Sequence, residues 1–221
     1  MKIYILILMA VTALMAAGCE KDTFYDTGLA NGVHDCSAWE YMQKGQGNWD
    51  SVRIMIRKAG LVELFGGKDA DCPEMTVFGL TDLSIIQFLL KTTGDDRQPL
   101  YRCVADIPDA MCREILLSYV IPGKYVRTDF PYEVQGTLEG GKVFTTLSGL
   151  QIRVFRTKGS WKDMPGIGPD GIGIHFLESG HTGYIASGDI TTRNAIVHSM
   201  SAVFQMADPV VRASTNVKTE K

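Results

Sequence analysis

Helix-type and strand-type patterns occupy different parts of this chain of 221 residues. Between residues 48 and 121, apolar residues recur at helical spacing behind residues that can cap a helix. From Gly136 onward, they alternate or cluster as they do in β-strands. This segregation predicts an α+β fold. A hydrophobic content of 45% over this length is enough for one medium-sized domain with its own core.

Capping and breaking residues set the limits of three predicted helices, at 48–60, 81–94 and 106–121. Gly60 supplies a left-handed stop for the first of them. The second follows a short strand at 76–78, and Thr81 or Asp82 is expected to cap it. Later strands are predicted at 150–155 and 196–204, together with a hairpin that joins 174–177 to 184–186.

Residues 187–198 run from a polar stretch with turn formers directly into an apolar stretch with β-branched residues. This order predicts a tight loop that enters a buried strand. His198 ends the apolar stretch, and we interpret it as a hydrogen-bonded core histidine.

The N-terminus is expected to lie outside the fold. A short basic start precedes an apolar run over 3–17, which has signal-peptide length and is too short to span a membrane comfortably. The run ends in Ala-Ala-Gly-Cys at 16–19, which resembles a bacterial lipobox, so we expect Cys19 to carry lipid; an ordinary cleavage site is the alternative. The acidic residues after Cys19 resemble a signal for surface display. Together these features predict a permanent lipid anchor in the outer membrane, facing the cell exterior.

Four further cysteines permit disulfide bonds in an exported protein: Cys36, Cys72, Cys103 and Cys112. Three pairings are possible, and the sequence does not choose between them. A local bridge from Cys103 to Cys112 is one hypothesis, and partly buried free thiols are the other. None of the cysteines has the spacing of zinc ligands, so no metal is predicted.

No local pattern indicates catalysis, a cofactor or nucleic-acid binding. The four histidines are scattered, and no nucleophile elbow is present, although a catalytic triad can also assemble from distant residues. Residues 166–171 match G-x-G-x-x-G, but a strand pattern follows where a dinucleotide site needs a helix, so we predict a loop. A net charge of −3 without a basic stripe argues against nucleic acid as a partner.

Two stretches resemble the signatures of the fasciclin-like domain. Residues 189–198 are similar to the second signature, D-I-x-x-x-N-G-x-V-H, with Ala195 in place of its glycine. Residues 76–82 are similar to the first, T-V-F-A-P-T-N, with Gly79 and Leu80 in place of its Ala-Pro and Asp82 in place of its asparagine. Between them, residues 116–125 resemble L-x-Y-H-V-x-P-G-K-Y, but Ser118 and Tyr119 occupy the Tyr-His positions. Roles ascribed to that pair are therefore not carried over.

The resemblance covers about residues 48–206 and implies a wedge-shaped β-sandwich with several short helices, an α+β fold. Together with the features of the two ends, it divides the chain into a signal peptide (1–18), a tether and lead-in segment (19–45), a fasciclin-like domain (46–208) and a polar tail (209–221). Catalysis is not typical of this family, which mediates adhesion or ligand binding. The resemblance therefore implies a non-catalytic surface protein that binds an extracellular protein or glycan. The alternative is an accessory structural subunit of an outer-membrane glycan-uptake complex, and a hydrolase in the same fold is a third hypothesis.

Asp189 and Ile190 are the candidate binding residues. They match an acidic D-I pair that contacts cell-surface receptors in some fasciclin-like adhesion proteins. A carboxylate beside an exposed branched side chain would form a small binding hot spot. In the other interpretation, Asp189 caps its own loop and Ile190 fills the core. Trp161 and Tyr125 are aromatic candidates for stacking on sugars, and burial is the competing interpretation for both.

Overall fold

The computed structural model describes residues 32–45, 48–94, 96–162, 164 and 166–206. The predicted signal peptide, the predicted lipidation site Cys19 and the predicted polar tail lie outside the described residues. No helix among the described residues is both long and apolar enough to cross a membrane.

The described chain contains five α-helices: α1 (Ala38–Lys44), α2 (Asp50–Lys58), α3 (Val62–Phe65), α4 (Asp82–Lys91) and α5 (Asp109–Leu117). Two 3₁₀ turns, Val104–Asp106 and Arg127–Asp129, complete the helical structure of this part of the chain. The three helices predicted from capping residues are confirmed as α2, α4 and α5. Gly60 has a φ of 66°, as predicted for the left-handed stop after α2.

Helix α1 lies in the lead-in segment, where no helix was predicted. Ser37 caps it by accepting the amide N–H of Glu40 at 3.2 Å, and the Glu40 carboxylate accepts the amide N–H of Ser37 at 2.7 Å. This reciprocal pair is a capping box. Ala38 and Met42 are fully buried, so the helix contributes to the hydrophobic core.

Seven strands form one mixed sheet: β1 (Met75–Gly79), β2 (Val120–Pro122), β3 (Lys142–Thr145), β4 (Gln151–Lys158), β5 (Asp170–Phe176), β6 (Thr182–Thr191) and β7 (Ala195–Met200). Their order is β2-β1-β7-β6-β5-β4-β3, in which β1 and β7 are parallel and the other neighbours are antiparallel. The backbone N–H of Leu147, just after β3, donates to the carbonyl of Val120 at 2.8 Å. The two ends of the sheet therefore approach each other.

The α+β class is confirmed, but the described strands form one sheet instead of the two separate sheets of a sandwich. Strand β6 explains why the strands form one sheet, because it pairs with a neighbour on each side. Its first residues pair with β5, its later residues pair with β7, and the register shifts on both sides of Ser187. Bulges of this kind let one strand bend and bridge two halves of a sheet.

Strand β4 is buried on both faces, although its alternating pattern predicted only one buried face. Arg153 and Phe155 on the second face are as inaccessible as Ile152 and Val154 on the first. Residues 131–141, which we call the arm, explain this difference. The Arg153 guanidinium lies 4.3 Å from the centre of the Phe155 ring and donates to two arm carbonyls, each at 3.1 Å. The arm therefore covers the outer face of β4.

The four cysteines of the described chain are free thiols, so the hypothesis of a Cys103–Cys112 bridge is wrong. Cys112 is fully buried on the inner face of α5, where its thiol donates to the carbonyl of Ile107 at 3.8 Å. Cys103 is exposed ahead of the 3₁₀ turn that precedes α5. The two side chains lie in different environments because the turn and the helix separate them.

Candidate functional site

Asp189 connects its own strand to a neighbouring turn. Its carboxylate accepts the backbone N–H of Arg127 at 2.6 Å, and its second oxygen lies 3.6 Å from the Arg127 side chain. Its own N–H donates to Nδ1 of His198 at 3.2 Å. The residue has a φ of 60°, a left-handed conformation that aspartate tolerates better than most residues. The carboxylate thus holds the Arg127–Asp129 turn in place.

Ile190, the other predicted contact residue, is half-buried. It pairs with Val197 of β7 and packs against the hydrophobic core. The side chain of Ile190, which was the apolar part of the predicted contact, therefore packs within the fold. This arrangement favours the interpretation in which Asp189 and Ile190 are structural.

We expect Asp189→Ala to lower the free energy of unfolding by about 1–2 kcal/mol, because the Arg127 amide loses its acceptor and alanine is strained at this φ. Asp189→Asn is the matched control. It keeps an acceptor oxygen and tolerates the left-handed conformation, so it should stay within about 0.5 kcal/mol of the wild type. Chemical denaturation measures both changes. If Asp189→Ala instead weakened ligand binding at an unchanged melting temperature, Asp189 would return as a contact residue.

His198 is fully buried, and the prediction of a hydrogen-bonded core histidine is confirmed. Because Nδ1 accepts the amide of Asp189, the proton resides on Nε2, which donates to the carbonyl of Tyr125 at 3.0 Å. Burial lowers the pKa of His198; the Tyr125 hydrogen bond and the Asp189 carboxylate oppose this shift, and the Arg127 cation adds to it. His198 is therefore a neutral structural link between two loops.

The other candidate motifs do not form a second site with Asp189 and His198. Residues 166–171 lead into strand β5, which confirms the loop prediction for the G-x-G-x-x-G match. Within the described ranges, no three His, Cys, Asp or Glu side chains are grouped as metal ligands. Trp161 is exposed, whereas Tyr125 is half-buried and packs edge-on against Phe144 at 4.9 Å.

A cleft of about 390 Å³ opens between the arm and the loop that follows β4. We call it the arm–loop cleft. Its lining residues come from four separate segments: Tyr132, Glu133, Gln135, Thr157, Lys158, Gly159, Gly166 and Tyr184. The volume lies within the range of small-molecule sites, roughly 300–1,000 Å³.

Backbone pairing fixes the arm that forms one wall of the cleft. The amide of Glu133 donates to the carbonyl of Arg156 at 2.9 Å, and the amide of Arg156 donates to Pro131 at 2.9 Å. The arm then folds back on itself at Gly140, which has a φ of 76°. A Cβ at this position would lie 2.3 Å from the carbonyl oxygen of Tyr132, so only glycine fits.

Tyr184 lines the cleft from β6, where it is paired with a glycine of β5. Its partner on β5 is Gly173, and the Phe155 ring occupies the space beside that glycine, 2.4 Å from where a Cβ would lie. The phenyl ring of Phe155 is buried in this way, and Tyr184 remains 52% exposed at the surface. Exposed aromatic side chains in a cleft are typical of ligand sites.

The orientation of Tyr132 is set by the cation beneath it. The guanidinium of Arg156 lies 3.9 Å from the centre of the Tyr132 ring, and Arg156 Nε lies 3.8 Å from a carboxylate oxygen of Asp170. Cation–π contact over one ring face keeps the side chain in a fixed position. Tyr132 nevertheless remains 41% exposed to a ligand.

Sequence reasoning did not find this cleft. Its aromatic residues, Tyr132 and Tyr184, lie about fifty positions apart, and neither belongs to a motif. The consecutive glycines at 140 and 141 were the available signal, since paired glycines indicate a close approach of backbone segments.

No protein-family model and no curated protein sequence matches this chain. Among solved structures, the fold is similar to that of a FAS1 domain pair from the insect cell adhesion molecule fasciclin I. The TM-score is 0.44 and the sequence identity is 13%, over 75% of this chain and 44% of that chain. This chain thus spans less than half the length of the domain pair.

Proposed function

We propose that this chain is a lipid-anchored surface protein that binds an extracellular glycan or protein and catalyses no reaction. The arm–loop cleft is the observation that carries the proposal, because its concave lining includes two exposed tyrosines together with polar side chains. The sequence motifs of the chain resemble those of fasciclin-like domains, and this resemblance supports an adhesive role. The lipobox-like residues ending at Cys19 support anchorage in the outer membrane, facing the exterior.

The hydrogen bonds of the polar core support a non-catalytic protein. Within the described residues, no serine or cysteine side chain is hydrogen-bonded to a histidine. The two hydrogen bonds of the His198 ring are to backbone groups, and His175 hydrogen-bonds to the hydroxyl of Thr182 at 2.8 Å. Nucleophilic catalysis by serine or cysteine needs a base within hydrogen-bond reach. These histidines instead stabilise the fold.

An accessory subunit of a glycan-uptake complex is the second candidate, and helix α4 favours it. Leu83, Ile86 and Leu90 follow helical spacing and are 43%, 46% and 65% exposed. A continuous exposed apolar stripe of this kind is typical of a protein interface. Under this proposal, the stripe would contact a membrane partner while the cleft binds glycan.

Expression of the full chain and of Cys19→Ala in cells of a Gram-negative bacterium tests the proposal. Labelling with a palmitate analogue should mark the wild type and leave the variant unmarked. Cells that carry the wild type should also be retained on arrays of immobilised glycans and matrix proteins, whereas cells that carry the variant should wash off, because the protein is no longer anchored.

Each part of the proposal has its own contradicting result. Equal labelling of the two proteins would exclude the lipid anchor. Equal retention of cells with and without the gene would exclude adhesion. Loss of adhesion together with stable co-purification of a membrane porin would favour the accessory subunit.

A further inference from the structure

Residues 125–130, which we call the arm root, lead directly into the arm and depend on the ring of His198. Nε2 of the ring donates to the carbonyl of Tyr125 at 3.0 Å, at the beginning of the root. The same ring packs edge-on against the buried ring of Phe130 at a centroid distance of 6.0 Å, at the end of the root. One imidazole therefore contacts both ends of the segment that carries a wall of the arm–loop cleft.

Asp189 connects the same ring to the middle of the arm root. Its N–H donates to Nδ1 of His198 at 3.2 Å, and its carboxylate accepts the N–H of Arg127 at 2.6 Å. The first of these hydrogen bonds needs a neutral ring, since a protonated imidazole carries N–H groups on both nitrogens and has no acceptor left. Protonation would therefore set two N–H donors against each other in a fully buried site.

We propose that protonation of His198 releases the arm root, so that the arm–loop cleft loses a fixed wall in mildly acidic solution. The incoming proton binds Nδ1, and the Asp189 carboxylate turns from the Arg127 amide to the new, charged N–H group. The arm is affected because it begins at Pro131, whose carbonyl accepts the N–H of Arg156 at 2.9 Å. This inference rests on the proposed function in one respect, since it takes the cleft as the binding site.

The surroundings of the ring set the pH at which the release occurs. Burial lowers the pKa of the His198 imidazole below its usual value of about 6.5. The hydrogen bond to Tyr125 and the Asp189 carboxylate favour the imidazolium, and the Arg127 guanidinium opposes it. On the side of β1, the ring stacks on the apolar ring of Phe78 at a centroid distance of 5.7 Å. The release is therefore expected below pH 6.5, and the neutral state persists at pH 7.

Hydrogen exchange of the full chain in detergent micelles, measured by mass spectrometry from pH 7 to pH 5, tests the release. The arm root suits this measurement because its amides at 125, 126, 127, 129 and 130 are hydrogen-bonded. After correction for the intrinsic pH dependence of exchange, these amides should exchange about tenfold faster at pH 5, because a local opening that takes up one proton gains up to about tenfold per pH unit. Equal acceleration in β4 and β5 would show that acid loosens the whole fold, which would overturn a release confined to the arm root.

His198→Gln is the variant that separates protonation from packing. Its amide keeps one acceptor and one donor and does not titrate, so exchange of the arm root should be the same at pH 5 and pH 7. His175→Gln is the matched control, because His175 is also a buried histidine whose pKa is lowered by burial. This control should keep the wild-type pH dependence at the arm root. The opposite pattern in the two variants would overturn the assignment to His198.

The wild type alone gives a second test, which holds even where His198→Gln does not fold. In NMR titrations, the ring nitrogens of His198 and the amide of Arg127 should change with one common midpoint below pH 6.5. Different midpoints would show that the ring and the arm root are not coupled, and the inference would fail.

Retention of cells on the arrays separates this inference from the proposed function. Wild-type cells held at pH 7 should be released at pH 5, and cells that carry His198→Gln should stay bound. Equal retention of both at pH 5 would overturn the link between the arm root and the cleft. If wild-type cells are retained and the arm root does not respond to pH, the inference fails and the proposed function stands. If the arm root responds but retention does not depend on the gene, the proposed function fails and the response of the arm root stands.

Discussion

Replacing Asn194 with alanine is expected to lower the free energy of unfolding by about 3 kcal/mol. The buried side chain joins the ends of two helices. Its Oδ1 accepts the N–H of Ala38, the first residue of α1, at 2.9 Å. Its Nδ2 donates to the carbonyls of Phe65 at 3.2 Å and Leu64 at 3.5 Å, at the end of α3. Alanine would leave these backbone groups buried without partners, and equilibrium denaturation measures the loss.

Two further variants sharpen the test of Asn194. Asn194→Asp keeps the acceptor for Ala38 but turns a carboxylate toward two carbonyls, so it should destabilise the protein at least as much at neutral pH. Asn48→Ala makes the same truncation at an exposed position and should change stability by less than about 0.5 kcal/mol. A loss below 1 kcal/mol in Asn194→Ala would show that the two helix ends find other partners.

Sequence reasoning identified the helices whose signals are local. Apolar spacing and the glycine at position 60 placed α2, and Thr81 caps α4 through the amide of Ser84 at 3.3 Å. Helix α1 also has a local signal. Ser37 and Glu40 are three residues apart, which is the spacing of a capping box, but the surrounding glycines and polar residues favoured an irregular segment.

The roles of the signature residues were not predictable from local rules, because their partners are distant in sequence. Thr81 or Asp82 is expected to cap α4, and Thr81 does so. The carboxylate of Asp82 instead accepts the N–H groups of Ser51 at 2.7 Å and Asp50 at 3.2 Å, at the start of α2. Negative charge at a helix N-terminus is favourable, so Asp82 caps a helix that begins more than thirty residues earlier.

The cleft was hidden for the same reason. Alternation in β4 predicts which residues share a face, but it does not show that the arm covers the outer face. The arm becomes apparent only from two tertiary features. Arg153 donates hydrogen bonds to the carbonyls of the arm, and Gly140 allows the tight turn at which the arm folds back. Tertiary contacts of this kind decide whether an outward tyrosine, such as Tyr184, lies in a cleft or on a flat surface.

Replacing His198 with phenylalanine is expected to cost about 2–3 kcal/mol at pH 7 and to reduce the acid sensitivity of the fold. Phenylalanine preserves the ring stacked on Phe78 at a centroid distance of 5.7 Å, but the carbonyl of Tyr125 and the amide of Asp189 lose their partners. His198→Ala also removes the ring and should cost more, about 3–5 kcal/mol, because a cavity remains. A cost below 1 kcal/mol for the alanine variant would contradict a structural role for the ring.

The pH dependence follows from the direction of the pKa shift. Burial lowers the pKa of His198 in the folded protein below its unfolded value of about 6.5, so the unfolded chain binds the proton more readily. This contribution to stability is complete above about pH 6.5 and is lost as the pH falls through the folded pKa. Burial, Arg153 and His181 lower the pKa of His175, which acts in the same direction but is common to both proteins. The stability difference between wild type and His198→Phe should therefore shrink from pH 7 to pH 5, as measured by urea denaturation at each pH, whereas parallel curves would show that His198 does not titrate with unfolding.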